Sequence, residues 1–187
     1  MQNNSTFNEQ IKPSLVLVLL CLVAAIALSQ IYTITKPIIE KNAAKAADEA
    51  RAVVLAEGDA FTPYDGELVD GVTEYYSANN GAGVAVTATA KSYGGLMTVM
   101  VGIDANGKIT GVEVTNHSDT PGLGTKAMTV DYLSQYIGKT TGEIVTEDSI
   151  KNNKNLDAIT GATISSNGVY HSVQEALKQF DAAGGVK

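Results

Sequence analysis

Residues 96–114 read Leu96-Met-Thr-Val-Met-Val-Gly-Ile103-Asp-Ala-Asn106-Gly107-Lys-Ile-Thr-Gly111-Val-Glu-Val114, and this stretch determines the architecture. Apolar residues dominate both sides of Asn106-Gly107, a dipeptide that supplies the positive φ angles needed by a tight hairpin turn. In the second strand apolar and polar residues alternate with one slip near Gly111. One face of the hairpin should therefore be buried and the other wet. Residues 83–90 alternate in a similar way and predict a further strand.

Two helices are predicted on the C-terminal side of the hairpin. The first covers residues 126–137 and ends at Gly138, and its apolar side consists of Ala127, Val130, Leu133 and Ile137. The second is capped by Asn167 or a nearby serine, and its apolar stripe consists of Val169, Val173, Ala176, Leu177 and Phe180. Strands and helices follow one another without a regular βαβ rhythm, which predicts a single α+β domain.

The N-terminal part of the chain predicts a membrane anchor. Residues 13–35 contain no charged side chain and are apolar on every face, and about 20 such residues suffice to cross a bilayer. We therefore expect a cytoplasmic tail over 1–12, a transmembrane helix over 13–35, an amphipathic linker helix over 36–57 and a folded domain over 58–187. The linker is predicted from apolar residues at helical spacing, namely Ile39, Ala43, Ala46, Ala50, Val53 and Val54.

Two alternatives to a retained anchor fit the same segment less well. A cleaved signal peptide could end at Ala25-Ile-Ala27, which has the small-x-small shape of a cleavage site, but apolar residues continue through Ile34. A lipid anchor at Cys21 conflicts with the bulky Leu20 before it, where a small residue is expected. A retained transmembrane helix is the preferred interpretation.

Charge and cysteine content exclude several classes of function. The net charge of −7 provides no basic surface for nucleic acid. Cys21 is the one cysteine of the 187 residues, so an intramolecular disulfide, a Cys-rich metal site and the usual multi-cysteine iron–sulfur cluster are excluded. His117 predicts no metal site either, because no His, Cys or carboxylate cluster supports it. Any redox chemistry must come from a cofactor held in another way.

The segment Asp157-Ala-Ile-Thr160-Gly161-Ala162-Thr163-Ile-Ser-Ser166 stands immediately before the apolar stripe of the last helix. Small residues around Gly161 allow a backbone to approach a bulky group closely. Thr163 lies at the start of that helix, where free N–H groups favour a phosphate. Taken by itself, this chemistry favours a plain turn with serine and asparagine caps.

Two further segments near the hairpin stand out, although each is a weak signal when taken alone. His117-Ser-Asp-Thr120-Pro-Gly122-Leu123-Gly124 makes a sharp turn with room for a flat ligand beside the backbone. Tyr93-Gly-Gly-Leu96 opens the hairpin.

Together these segments are similar to one family. Asp157-x-x-Thr160-Gly161-Ala162-Thr163 resembles the flavinylation motif Asp-x-x-[Ser/Thr]-Gly-Ala-[Ser/Thr] of FMN-binding domains in the Rnf complex and in the sodium-translocating NADH:quinone reductase. The loop from His117 looks like the loop that lies against the flavin in Rnf G subunits, and Tyr93 opens a hairpin of the same family type. With one transmembrane helix and fewer than 200 residues, the resemblance covers most of the chain and favours the Rnf G subunit. The C subunit of the quinone reductase, usually longer, is the second candidate.

The resemblance implies a cofactor and the residues that hold it. FMN would be joined through its phosphate to Thr163 by a separate flavin transferase that uses FAD as donor. The expected flavin contacts are Asp157, Thr160, Gly161, Ala162, Thr120, Gly122, Leu123, Gly124 and Ser166. No residue of the chain is expected to be catalytic.

The resemblance also implies a function and a topology. The chain would carry electrons within a membrane complex that oxidises ferredoxin, reduces NAD and transports sodium or protons. A membrane-anchored solute-binding or sensory module, or a standalone flavin reductase, are the alternatives. The family places its flavin domain on the outer face of the cell membrane, whereas Lys36, Lys41, Lys45 and Arg51 after the span outnumber Lys12 before it and favour the cytoplasm.

Overall fold

The structure is a computed structural model that describes residues 12–145 and 147–186. It divides into two units, one ending at Ala46 and one beginning at Ala47. Helix α1, Lys12–Val54, is long and apolar enough to cross a membrane, and its apolar window is exposed throughout. It continues past residue 36 with Pro37 inside it, and one further turn leads to Gly58. Residues 1–11 of the predicted tail lie outside the described residues.

The second unit is built on an antiparallel sheet with the strand order β1-β2-β3-β4-β5. Its strands are β1 Phe61–Pro63, β2 Val72–Ala78, β3 Gly83–Ser92, β4 Gly95–Asp104 and β5 Ile109–Asn116. The remaining helices are α2 Val130–Leu133, α3 Thr141–Ile144 and α4 Thr163–Ala183, with 3-10 turns at Gly124–Met128, Ser134–Tyr136 and Ile150–Asn152. The predicted hairpin, the further strand and the α+β class are confirmed.

Helix α4 covers one face of the sheet and forms the main core with it. Its predicted apolar stripe is buried at every position, from Val169 to Phe180, and packs in one cluster with Val86 of β3 and Val101 of β4. The stripe lies on one side of the helix because its members recur three or four residues apart. Gly184 ends the helix with a φ of 78°, in the left-handed conformation that glycine adopts freely.

The opposite face of the hairpin is buried rather than exposed to solvent, contrary to the prediction. The last turns of α1 lie on it, and Ala50 and Val54 form a second buried cluster with Ala85 and Met100. A Cβ atom at Gly102 would lie 2.1 Å from the carbonyl oxygen of Val54, so only glycine leaves room for the helix there. Small residues, which carry no alternation signal, thus create the second packing surface.

Arg51 anchors this end of α1. Its guanidinium lies 3.8 Å from the centre of the Tyr76 ring and pairs with Asp48 and with Glu74, at N–O distances of 2.5 and 3.5 Å. Of the predicted linker stripe, Ala50 and Val54 are buried, whereas Val53 is 67% exposed. The buried side of the helix end therefore consists of small residues and one arginine.

The hairpin turn differs in detail from the prediction. Gly107 has a φ of 78°, and among the described residues no residue other than glycine has a positive φ, so Asn106 does not contribute one. The carboxylate of Asp104 accepts the N–H groups of Asn106 and Lys108 at 2.7 and 2.9 Å. These hydrogen bonds stabilise a turn in which the residues before Gly107 keep a negative φ and only Gly107 is left-handed. The slip near Gly111 is confirmed as a register shift.

The predicted helix over 126–137 is wrong. The structure has a 3-10 turn, then α2, then a second 3-10 turn, because Thr129 is extended, with φ −73° and ψ 148°. The Thr129 hydroxyl accepts the N–H of Tyr132 and starts a new helix at that point. Ala127 and Leu133 are buried as predicted, but Val130 and Ile137 are exposed, at 84% and 54%.

The predicted cap of the last helix is also wrong. Helix α4 begins at Thr163 and its N-cap is Ala162, which makes no side-chain capping bond. Asn167 lies one turn inside the helix, where its side-chain oxygen accepts the Ser149 hydroxyl and the Ile150 N–H. A polar residue that resembles a cap thus fixes a neighbouring loop to the helix.

Candidate functional site

A cavity of about 450 Å³ lies beside the start of α4. Three segments surround it: the tight turn over 92–95 that connects β3 to β4, the loop over 117–124 and the helix start over 161–165. Its lining residues are Tyr93, Thr120, Leu123, Gly124, Gly161, Ala162, Thr163, Ile164 and Ser165. The volume is within the range of roughly 300–1,000 Å³ that small-molecule sites occupy.

The cavity wall is largely apolar. Tyr93, Leu123 and Ile164 are large side chains that are 70%, 46% and 54% exposed, and all three face this cavity. Large apolar groups exposed together around a pocket indicate a binding surface, since isolated ones are ordinary. The wall can take a flat, apolar ring.

The helix start adds a polar element to this wall. The first helical bond of α4 runs from the Ser166 N–H to the Ala162 oxygen at 3.0 Å, so the N–H groups of Thr163, Ile164 and Ser165 have no acceptor within the helix. Such groups, together with the helix dipole, favour an anion. Thr163 is half-buried, is the first residue of this helix and lines the cavity.

Gly161 is required for its backbone conformation. Its φ is 81°, in the left-handed region, where a side chain is strained. A Cβ atom there would meet only the Leu123 Cδ1 atom, at 3.8 Å, which is an ordinary contact. The expected steric role of Gly161 thus becomes a conformational one: it turns the chain into the helix.

Six of the predicted contact residues line this cavity, namely Thr163, Gly161, Ala162, Thr120, Leu123 and Gly124. Ser166 does not, because its buried hydroxyl accepts the Ile159 N–H and donates to the Ala162 oxygen, at 3.0 and 3.1 Å. Gly122 has a φ of 76° and donates its N–H to the Thr125 hydroxyl. Both residues shape the turns that carry the lining residues.

Asp157 and Thr160 line a neighbouring polar groove of about 480 Å³ instead. This groove also contains Lys151 and Lys154, and it shares Gly161 and Thr163 with the apolar cavity. Thr163 is therefore accessible from two sides, one apolar and one polar. Of the motif residues, Asp157 and Thr160 face the polar groove, Ala162 faces the apolar cavity, and Gly161 and Thr163 line both.

Tyr93, Ile164 and Ser165 line the cavity but were not among the predicted contacts, and Asp119 was not predicted either. Asp119 is 4% exposed, and its carboxylate accepts the Ser92 hydroxyl and the Gly94 N–H, at 2.5 and 2.6 Å. Burial acts to raise the pKa of Asp119, but hydrogen bonds from Ser165, Ser92 and Gly94 and the proximity of His117 together hold that pKa below its usual value. The two glycines that follow Tyr93 in the sequence were the available indication that this residue could belong to a binding site.

Known proteins resemble this chain over the region that contains the cavity. Residues 92–178 match the family model of the FMN-binding domain. All the residues that line the cavity lie within this range. Over 190 residues the chain is 31% identical to the G subunit of an ion-translocating oxidoreductase complex from Methanosarcina acetivorans, covering 97% of this chain and 100% of the relative. The chain belongs to the G-subunit family of ion-translocating oxidoreductase complexes. The resemblance to Rnf G subunits is thereby confirmed.

Two other relatives differ from each other in the ion that their names give. The G subunit of the proton-translocating ferredoxin:NAD(+) oxidoreductase complex from Clostridium ljungdahlii is 29% identical, covering 91% of both chains. The G subunit of the Na(+)-translocating complex from Acetobacterium woodii is 30% identical, covering 90% of both chains. Proton- and sodium-translocating complexes thus both contain relatives of this chain at nearly the same identity.

Proposed function

We propose that this chain is the electron-carrying subunit of a membrane ferredoxin:NAD oxidoreductase coupled to sodium or proton translocation. We propose further that it holds FMN through a phosphoester bond to Thr163. The observation that carries this proposal is the position of Thr163, the first residue of α4 and part of the wall of an apolar cavity. The names of the relatives support the complex, and the FMN-binding domain supports the cofactor.

The chemical character of the cavity residues matches the two parts of FMN, its flat ring system and its phosphate. Tyr93, Leu123 and Ile164 would cover the ring system and exclude water from it, and the N–H groups of the first turn of α4 would receive the phosphate. FMN, when bound, supplies one-electron transfer between neighbouring redox centres. The chain's own contribution is to hold, orient and shield the cofactor, so we expect no turnover from this subunit alone.

Attachment requires a second protein in this proposal. A flavin transferase would join the FMN phosphorus of FAD to the Thr163 oxygen while the FAD phosphoanhydride bond breaks. AMP would leave and the hydroxyl proton would pass to a base. The polar groove with Asp157 and Lys154 leaves Thr163 open on the side away from the apolar wall. We expect the transferase to approach Thr163 from that groove, with Asp157 presenting the loop.

Expression with and without a flavin transferase tests the attachment. With the transferase, the full-length chain should gain the mass of one FMN less one water, as measured by intact-protein mass spectrometry. Without it, the bare polypeptide mass is expected, because no residue of the chain is assigned to activate the hydroxyl. FMN attached without the transferase would require self-catalysed transfer and would contradict the proposal.

We also propose that the chain crosses the cell membrane once and that its flavin domain lies outside the cytoplasm. The support is the apolar stretch of α1 and the placement of the flavin domain in the family. Lysines after the span favour the opposite orientation, but long domains are translocated largely regardless of such charges. The tail over 1–12, with Lys12, would stay inside.

Cysteine labelling on intact cells tests this orientation. In a Cys21→Ala background, Ala105→Cys places one thiol in the exposed hairpin turn. A membrane-impermeant thiol reagent should label it without lysis, while Ser5→Cys in the tail should react only after lysis. The reverse pattern would show that the positive-inside rule determines the topology and that the family placement does not apply.

A further inference from the structure

We propose that Asp119 is a positioning residue for the cofactor. Its buried carboxylate clamps together the three segments that surround the cavity and fixes a negative charge behind the cavity wall. The second half of this proposal rests on the proposed function, since it concerns a flavin held in that cavity. The first half concerns the chain alone.

The clamp consists of hydrogen bonds to two of the segments from a residue of the third. Asp119 belongs to the loop over 117–124, next to the lining residue Thr120. One of its carboxylate oxygens accepts the Gly94 N–H, on one side of Tyr93, and the other accepts the hydroxyl of Ser92, on the opposite side of Tyr93. Ser165, in the first turn of α4, places its Oγ atom beside this carboxylate, since the Ser165 Oγ and an Asp119 oxygen lie 2.7 and 2.9 Å from the point where a Cβ atom of residue 124 would stand, and Ser165 contributes to the lowered pKa of Asp119.

The groups that donate to this carboxylate have little access to water. Ser92 is 3% exposed and Ser165 is 1% exposed, so their hydroxyl groups depend on partners within the protein. A buried donor without its acceptor is destabilising, because its lost contact with water is not replaced. Loss of the carboxylate therefore leaves several groups unsatisfied at once, and the segments that carry them should separate.

The three segments approach one another closely around the carboxylate. A Cβ atom at Gly94 would lie 2.1 Å from the Ser118 oxygen. One at Gly124 would lie 2.7 Å from the Ser165 Oγ atom and 2.8 Å from the Asp119 Cβ atom. The two glycines thus allow the three segments to meet at Asp119.

The charge on Asp119 lies close to the cavity. The hydrogen bonds that lower its pKa keep the carboxylate ionised at neutral pH. Gly124 lines the cavity, and a Cβ atom added to it would lie 2.9 Å from an Asp119 oxygen. The charge of Asp119 therefore lies directly behind the cavity wall. A fixed negative charge there opposes the addition of an electron to a group in the cavity. Asp119 should therefore lower the midpoint potential of a bound flavin.

Asp119→Asn tests both halves, with Asp131→Asn as a control that removes the same charge from an exposed residue of α2. In the full-length chain made without the transferase, hydrogen–deuterium exchange over 92–95 and 117–124 should be faster in Asp119→Asn and unchanged in Asp131→Asn. This measurement needs no flavin, so it tests the clamp even where the proposed function fails. Exchange equal to that of the unmodified chain would overturn the clamp.

In the flavin-loaded chain, Asp119→Asn should lose flavin content several-fold, and the midpoint potential of the loaded fraction should shift to more positive values. A purely structural role would reduce the flavin content without shifting the potential, and that result would overturn the electrostatic half. Ser92→Ala provides a milder variant in case Asp119→Asn does not fold. It removes one hydrogen bond and keeps the charge, so exchange should rise while the potential stays nearer that of the unmodified chain. A larger shift in Ser92→Ala than in Asp119→Asn would contradict the proposal.

Discussion

Replacement of Thr163 by alanine is expected to abolish covalent flavin and to leave the domain folded. The hydroxyl is the proposed attachment point, and the helix N-cap is Ala162, so no cap is lost with it. Among the described residues, no hydrogen bond of the fold involves the Thr163 side chain. Alanine is also the better helix former. We therefore expect the free energy of unfolding to change by no more than about 0.5 kcal/mol.

Intact-protein mass and in-gel flavin fluorescence after denaturation would measure this loss, in cells that contain the flavin transferase. Thr163→Ser is the matched control, because it keeps a hydroxyl group at the same backbone position and the motif accepts serine there. It should retain FMN. Covalent FMN that persists in Thr163→Ala would place the attachment on another residue, and Thr160 would be the next to replace.

Gly102→Ala is expected to destabilise the domain strongly. Its new methyl group would lie 2.1 Å from the Val54 carbonyl oxygen, which also accepts the Thr110 hydroxyl at 2.6 Å. The end of α1 must then move off the sheet, and the contacts of Arg51 move with it. Overpacking of this kind costs roughly 1–3 kcal/mol, and the clash with backbone places the change at the upper end.

Thermal unfolding of the full-length chain in detergent, followed by circular dichroism, would measure this effect. Gly142→Ala is the matched control, since nothing lies within 4 Å of its Cβ position and its φ is unremarkable. It lies in α3, where alanine should be neutral or slightly stabilising. Equal melting temperatures for the two variants would show that α1 does not pack against Gly102.

Periodic apolar residues explain which parts of the fold could be predicted. The hairpin and the stripe of α4 follow from side-chain alternation and helical spacing, and the structure confirms both. The surface that receives the end of α1 includes Gly102, Gly111 and Ala85 beside Met100, and the small size of the first three produces no periodic signal. The helix predicted over 126–137 failed for a different reason: one hydroxyl, that of Thr129, competes locally with the helical backbone.

The candidate site was predictable where its residues are contiguous. Gly161, Ala162 and Thr163 stand together in one motif and line the cavity together. Tyr93 reaches the same cavity only through tertiary packing, whereas Ile164 and Ser165 follow the motif directly in the chain and were not assigned to the site. Asp119 sits in a polar loop that gives no indication of burial, so its hydrogen bonds became evident only when three distant segments were seen together.

Helix α4 follows all five strands of the sheet in the chain, so the ribosome makes it after them. It brings the buried side chains from Val169 to Phe180 to the sheet, and it also begins with Thr163. A nascent chain that ends after β5 has neither a closed core nor an acceptor for the cofactor. If Thr163 is that acceptor, attachment can only follow the synthesis of all five strands. A covalent flavin on this protein then shows that synthesis had passed β5 and reached the helix that closes the core.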